Sequence, residues 1–135
     1  MRDMKCTGVH HCSIIVSDMP RAIRFYRDIL ELQQIAAPQS LPDAGLDVRW
    51  FQVGDQQVHL IPAPAADARG QRHFALHVED AVAARETLRK RGVETRETIP
   101  INGADRFFIN DPDGNRIELI EWKTPYPVIP VMERE

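Results

Sequence analysis

The spacing of apolar and polar residues changes several times along the 135 residues. Residues 8–16, ending in Ile14, Ile15 and Val16, read as a buried strand. Ser17 and Asp18 then offer N-cap oxygens, and Pro20 suits a first helical turn. Met19, Ala22, Ile23, Tyr26, Ile29 and Leu30 recur at spacings of three and four. That spacing predicts an amphipathic helix of about 14 residues lying on a sheet. Residues 35–45 contain Pro38, Pro42 and Gly45 and read as an irregular loop. Strands are predicted over 46–53 and 56–61, with Gly54 and Asp55 as a tight hairpin turn. Residues 62–70 are a linker by composition.

The order then restarts. Residues 72–78 read as a strand, and Asp80 caps a second helix carrying Ala81, Ala84 and Leu88 on one face. Gly92 stands where a left-handed C-cap belongs. A short strand is expected within 93–99, and two more over 106–110 and 116–121. Asp111-Pro112-Asp113-Gly114-Asn115 joins the last two as a bulged type I turn. From Lys123 onward three prolines suggest an extended arm, packed on a sheet edge or a partner subunit. His11-x4-Val16-x-Asp18 is repeated as His73-x4-Val78-x-Asp80. His59 in the first closing hairpin and Glu118 in the second hold equivalent places. The expectation is an α+β fold of two βαβββ modules, 8–62 and 70–122, in one domain spanning 1–135. Two such modules side by side would form a cupped mixed sheet with helices outside.

Strand parity selects the chemistry. His11, Ser13 and Ile15 share a face, as do His73, Ala75 and His77. The two-residue turn pairs Trp50 with His59, so Trp50, Gln52, Gln57 and His59 share a face. The three-residue turn pairs Phe108 with Glu118, and Arg106 joins them. His10 points the other way by parity. Three imidazoles and a carboxylate buried together would be costly without a metal. His11, His59, His73 and Glu118 are therefore the candidate ligands, a set suited to Ni, Zn, Co, Mn or Fe. His77 reads equally as an outer partner or a hydrogen-bonded structural histidine. Arg106 reads as a carboxylate-binding group or a solvated strand residue. Ser13, Trp50, Gln52, His77, Arg106 and Phe108 make up the candidate substrate pocket.

Composition narrows the classes. Seventeen Lys and Arg against twenty Asp and Glu leave a net charge of -3, which argues against nucleic acid as a partner. No apolar run is long enough to span a bilayer. Cys6 and Cys12, on one extended segment, would lie roughly 20 Å apart, too far for a disulfide. Two free thiols and a cytoplasmic location are expected.

The segments HHCSIIVSDMPRAIRFYRDIL, RHFALHVED and FFINDPDGNRIELIEW resemble the vicinal oxygen chelate superfamily. It includes glyoxalases, extradiol dioxygenases, fosfomycin-resistance enzymes and bleomycin-binding proteins. The resemblance covers about residues 8–122 and is specific for the superfamily, not for one member. It implies one divalent metal, held by His11 and His73 from the first strands and Glu118 from the last. His59 matches a position that holds Glu in glyoxalase I and Gln or His elsewhere. It also implies a homodimer. The leading expectation is a glyoxalase-type lyase or isomerase acting on a small substrate chelated through neighbouring oxygens, with Glu118 moving the proton. An Fe(II) extradiol-type dioxygenase is the alternative, because His11, His73 and Glu118 alone form a two-His-one-carboxylate triad. A metal-free binding protein, with Trp50 and Phe108 stacking on a planar ligand, is a third reading. The chain departs from glyoxalase I at Ile15, where that enzyme carries an Arg that contacts glutathione. It departs from the fosfomycin enzymes at Phe108, where they carry a tyrosine.

Overall fold

The computed structural model describes residues 4–125 and 128–132. Eight strands and three α-helices are formed by those residues. The first strand, β1 (His11–Val16), starts only at His11. Asp18 caps the helix α1 (Met19–Ile23), its carboxylate accepting from the Arg21 N–H. Helix α1 runs on into a π-helical turn, Arg24–Ile29, in which the Leu30 N–H reaches the Phe25 carbonyl at 2.9 Å. The expected single helix is thus α in its first half and π in its second. The adjacent Phe25 and Tyr26 are both buried in this wider turn.

The first sheet continues with β2 (Gln33–Ile35), then the short helix α2 (Ser40–Asp43), β3 (Arg49–Val53) and β4 (Gln56–Pro62). Helix α2 falls where an irregular loop was expected over 35–45, β2 is an unexpected strand ending at the first residue of that loop, and β3 begins three residues later than predicted. The second sheet contains β5 (His73–His77), β6 (Arg96–Glu97), β7 (Ala104–Asn110) and β8 (Arg116–Trp122). Between β5 and β6 lies α3 (Ala81–Lys90), capped by Asp80 and followed by Gly92 at φ 82°.

The strand orders are β1-β4-β3-β2 and β5-β8-β7-β6. These are the same order twice, so the repeat read from the sequence is a repeat of topology. β1 pairs parallel with β4, and β3 pairs antiparallel with β4, with Trp50 opposite His59 and Val53 opposite Gln56 as the two-residue turn requires. At the second hairpin the Asp111 N–H donates to the Asn115 carbonyl at 3.0 Å, and Gly114 stands at φ 88°. This is the bulged three-residue turn expected there.

Two compact units divide the chain: Met1–Phe74 with Asn110–Arg116, and Ala75–Ile109 with Ile117–Glu135. In the first, Ile14, Val16, Ala22, Phe25, Tyr26, Phe51, Val58 and Leu60 form the core. The Asp111–Asn115 turn belongs to this unit and is tied to it by polar bonds. Tyr26 Oη donates to Asp111 Oδ2 at 2.7 Å, inside the core. Asp111 Oδ1 accepts the N–H groups of Asp113 and Asn115. Asn115 Nδ2 donates to the Ile15 carbonyl at 2.9 Å. Asp113 accepts from the Ser17 N–H and hydroxyl and from Arg21 Nη2. The turn motif therefore fastens the end of β1 and the start of α1. Burial and the Asp111 carboxylate push the Tyr26 hydroxyl pKa well up.

In the second unit, Leu76, Ala81, Leu88, Phe107, Phe108, Ile109, Ile117, Leu119 and Ile120 are buried. Arg85 bridges Asp105 and Glu97 and lies over the Phe107 ring. Of the expected C-terminal arm, Tyr126, Pro127 and 133–135 lie outside the described residues. Residues 128–132 have no regular structure, and Val128, Ile129, Val131 and Met132 are exposed rather than packed on an edge.

Candidate functional site

Sheet position decides how each candidate ligand is presented. β1 and β5 are edge strands, while β4 and β8 each have a strand on either side. His59 on β4 and Glu118 on β8 are accordingly buried, at 7% and 6% exposure. His11 on β1 and His73 on β5 are exposed. The expected joint burial of all four side chains does not hold for the described residues, because an edge strand has a neighbour on one side only.

His59 lies in a stack of three rings. The Trp50 indole is parallel to it, at 3.9 Å between centroids and 5° between planes. The His11 imidazole is stacked at 4.0 Å and 19°. Burial, and then the neighbouring His11 and His10, lower the His59 pKa from 6.5 to about 4. A neutral imidazole is what a metal ligand must be. His10 precedes β1, so strand parity does not govern it; its Nδ1 lies 2.9 Å from that of His11.

Two glutamines extend this cluster. His59 Nε2 is 2.8 Å from Gln57 Oε1. Gln57 Nε2 donates to Gln52 Oε1 at 3.2 Å, and Gln52 Nε2 donates to the Gly54 carbonyl at 2.8 Å. Gln57 was placed on this face by parity but assigned no role. The sequence signal was there, two glutamines on facing strands on the same face as a candidate ligand.

Glu118 has a different companion. Arg106 Nη1 lies 3.5 Å from Glu118 Oε1. The same guanidinium donates twice to the Ile99 carbonyl, at 3.2 and 2.8 Å, and sits 5.8 Å from the centre of the buried Phe108 ring. Arg106 is thus largely buried rather than solvated, engaged with the Ile99 carbonyl and beside the Glu118 carboxylate. His73 Nδ1 is 2.9 Å from the Gln71 carbonyl oxygen. A carbonyl only accepts, so Nδ1 carries a proton. His77 is exposed on β5.

Ser13 and His73 line a cavity of about 190 Å³, together with Arg69, Arg72, Asn115 and Arg116. Trp50 and Gln52 are not among its walls; they are occupied with His59 and Gly54. Among the described residues no three His, Cys, Asp or Glu side chains are grouped as a metal site. Within the first unit the donor chemistry nonetheless suits a divalent metal: a neutral buried imidazole, His59, with the His11 imidazole stacked beside it.

The profile of the Glyoxalase/Bleomycin resistance protein/Dioxygenase superfamily matches residues 8–119. The chain belongs to this superfamily. Within it, the lactoylglutathione lyase of Shigella flexneri is 30% identical over 124 residues, covering 84% of this chain and 91% of its own. That of Salmonella typhimurium is 29% identical over 126 residues, with the same coverage. A solved glyoxalase family protein from Bacillus anthracis superposes with a TM-score of 0.82 at 26% identity, covering 91% of this chain and all 100% of its own. The fosfomycin resistance protein of Listeria monocytogenes shares the fold, with a TM-score of 0.71 at 17% identity over 87% of this chain and 94% of its own. Like the fold, the two cysteines agree with the sequence reading: both are free thiols. No helix among the described residues is long and apolar enough to cross a membrane.

Proposed function

We propose that this superfamily member is a divalent-metal-dependent lyase or isomerase of the glyoxalase type, acting on a small substrate that presents two neighbouring oxygens. The observation that carries the reading is the matched burial of His59 and Glu118 on the interior strands of two topologically identical sheets, in a chain that lactoylglutathione lyases match over 84% of its length. His11, His59, His73 and Glu118 are the residues that would hold Ni, Zn, Co, Mn or Fe. Such an ion, when bound, supplies Lewis-acid stabilisation of negative charge on a substrate oxygen. Glu118 is the proton carrier, at its carboxylate oxygens, because the equivalent place in the first repeat is an imidazole. Arg106 orients Glu118 by holding Oε1. Trp50 and His11 hold the plane of His59 by stacking on either face. Half-buried Ile15 offers no charge to an acidic thiol such as glutathione, so a less acidic substrate is favoured. His11 and His73 on edge strands favour a homodimer as the working form, since unpaired edges are templates for a second chain.

Metal content of untagged protein, measured by elemental mass spectrometry alongside lactoylglutathione lyase activity, tests the reading. About one metal per chain, lost in both His11→Ala and Glu118→Ala, is expected. No metal after reconstitution with each of the five ions would sink the proposal and favour a binding protein. Iron with substrate-dependent oxygen uptake would move the assignment to a dioxygenase.

A further inference from the structure

We infer that Gln52 and Gln57 are positioning residues that set which nitrogen of His59 carries the proton, and so which nitrogen is available to a metal. The inference rests on His59 being a ligand, as proposed above, but its geometry does not. The Gly54 carbonyl at the hairpin turn can only accept a hydrogen bond. The Gln52 end facing it at 2.8 Å must therefore be its amide NH₂. That orientation turns the Gln52 oxygen toward Gln57, so the Gln57 end 3.2 Å away must again be NH₂. The Gln57 oxygen is then left facing His59 Nε2 at 2.8 Å. An oxygen acceptor demands a donor, so the neutral imidazole carries its proton on Nε2 and its lone pair on Nδ1. Turning either amide over would set oxygen against oxygen at one end of the chain or NH₂ against NH₂ at the other. One fixed carbonyl in the backbone thus propagates a single polarity through two side chains to the ring.

The consequence is that His59, with its proton on Nε2, offers Nδ1 to a metal. The stacking of Trp50 and His11 on the two faces of His59 blocks the ring flip that would exchange the two nitrogens.

Long-range proton–nitrogen NMR correlation on metal-free, ¹⁵N-histidine-labelled protein reads the tautomer directly, at a pH above the ordinary histidine range. The proton of His59 is expected on Nε2. Gln57→Met and Gln52→Met should both shift the ring toward a mixture of tautomers, while Gln57→Glu, still an acceptor, should keep the proton on Nε2. Circular dichroism of each variant confirms that the half-buried positions tolerate the change. A proton on Nδ1 in the unsubstituted chain, or a tautomer unmoved by Gln57→Met, would overturn the inference. Ni²⁺ titration followed by Trp50 fluorescence separates it from the ligand assignment. Loss of binding in His59→Gln supports ligation, and a loss of affinity on the order of 10–100-fold in Gln57→Met supports the relay. If His59→Gln binds Ni²⁺ as tightly as the parent, the ligand assignment falls while the tautomer result stands on its own.

Discussion

His59 and Glu118 hold the same place in two copies of one topology, yet they are stabilised in opposite ways. His59 is surrounded by neutral or weakly basic groups: the Trp50 indole, the His11 and His10 imidazoles and the Gln57 amide. Its surroundings favour the uncharged ring. Glu118 instead faces the permanent cation of Arg106. The difference teaches that duplication preserved the backbone frame while the facing strand was free to choose the electrostatic partner. Trp50 and Arg106 both stand on the strand hydrogen-bonded beside the candidate ligand, and each completes its side chain's environment. One copy thereby surrounds a neutral imidazole and the other sets a cation beside a carboxylate.

Removing the proposed proton carrier should give the largest effect. Glu118→Gln is expected to lower kcat by about 10²–10⁴-fold, the usual contribution of a positioned proton carrier. His59→Gln should act chiefly on metal affinity, as the comparison of kcat with metal-binding constants would reveal. Equal losses of kcat in the two variants would break the division of roles. Next in size is Arg106→Met. It removes the Arg106 cation from beside the buried Glu118 carboxylate and should cost about 1–3 kcal/mol of stability, measured by urea denaturation. Adding Glu118→Gln in the same chain should recover part of that cost. Simple additivity of the two would show that no such pairing exists.

The neutral environment of His59 makes a pH prediction. Its folded pKa of about 4 lies below the ordinary 6.5, so the unfolded chain binds the proton first. Stability in the metal-free protein should be fully retained above pH 6.5 and fall progressively as pH drops toward 4. Denaturation midpoints should show a shallower fall in His59→Gln, and an unchanged slope would remove His59 as the cause. The smallest effect concerns the turn that fastens β1 and α1. Gly114→Ala would hold a side chain at φ 88° and place its Cβ 2.6 Å from Arg69 Nε. Because the Arg69 side chain can move aside, the backbone strain dominates, at about 1–2 kcal/mol. A thermal midpoint equal to that of the parent would exclude this strain.

Some of this was legible before any coordinates. The caps at Asp18 and Asp80, the Gly54 turn and its Trp50–His59 register, and the bulge at Gly114 follow from local chemistry. Each depends on a few neighbouring residues whose conformational preferences are strong. The π-helical turn, β2 and α2 were not legible. Tyr26 is buried with its hydroxyl on Asp111, 85 residues away, and no local pattern encodes such a partner. The sequence leaves Arg106 between two readings for the same reason. Its side chain could be placed only once the Ile99 carbonyl and Glu118 were seen beside it.

The sequence by itself determined the duplicated α+β frame, the faces on which His11, His59, His73 and Glu118 stand, and the superfamily resemblance. Those depend on period, turn length and repeat, all of which are written along the chain. The tertiary structure alone decided which candidates are buried, what charge stands beside each, and which nitrogen of an imidazole is protonated. Edge or interior place in a sheet, and the direction of a hydrogen-bond chain from one carbonyl, arise only when strands distant in sequence become neighbours.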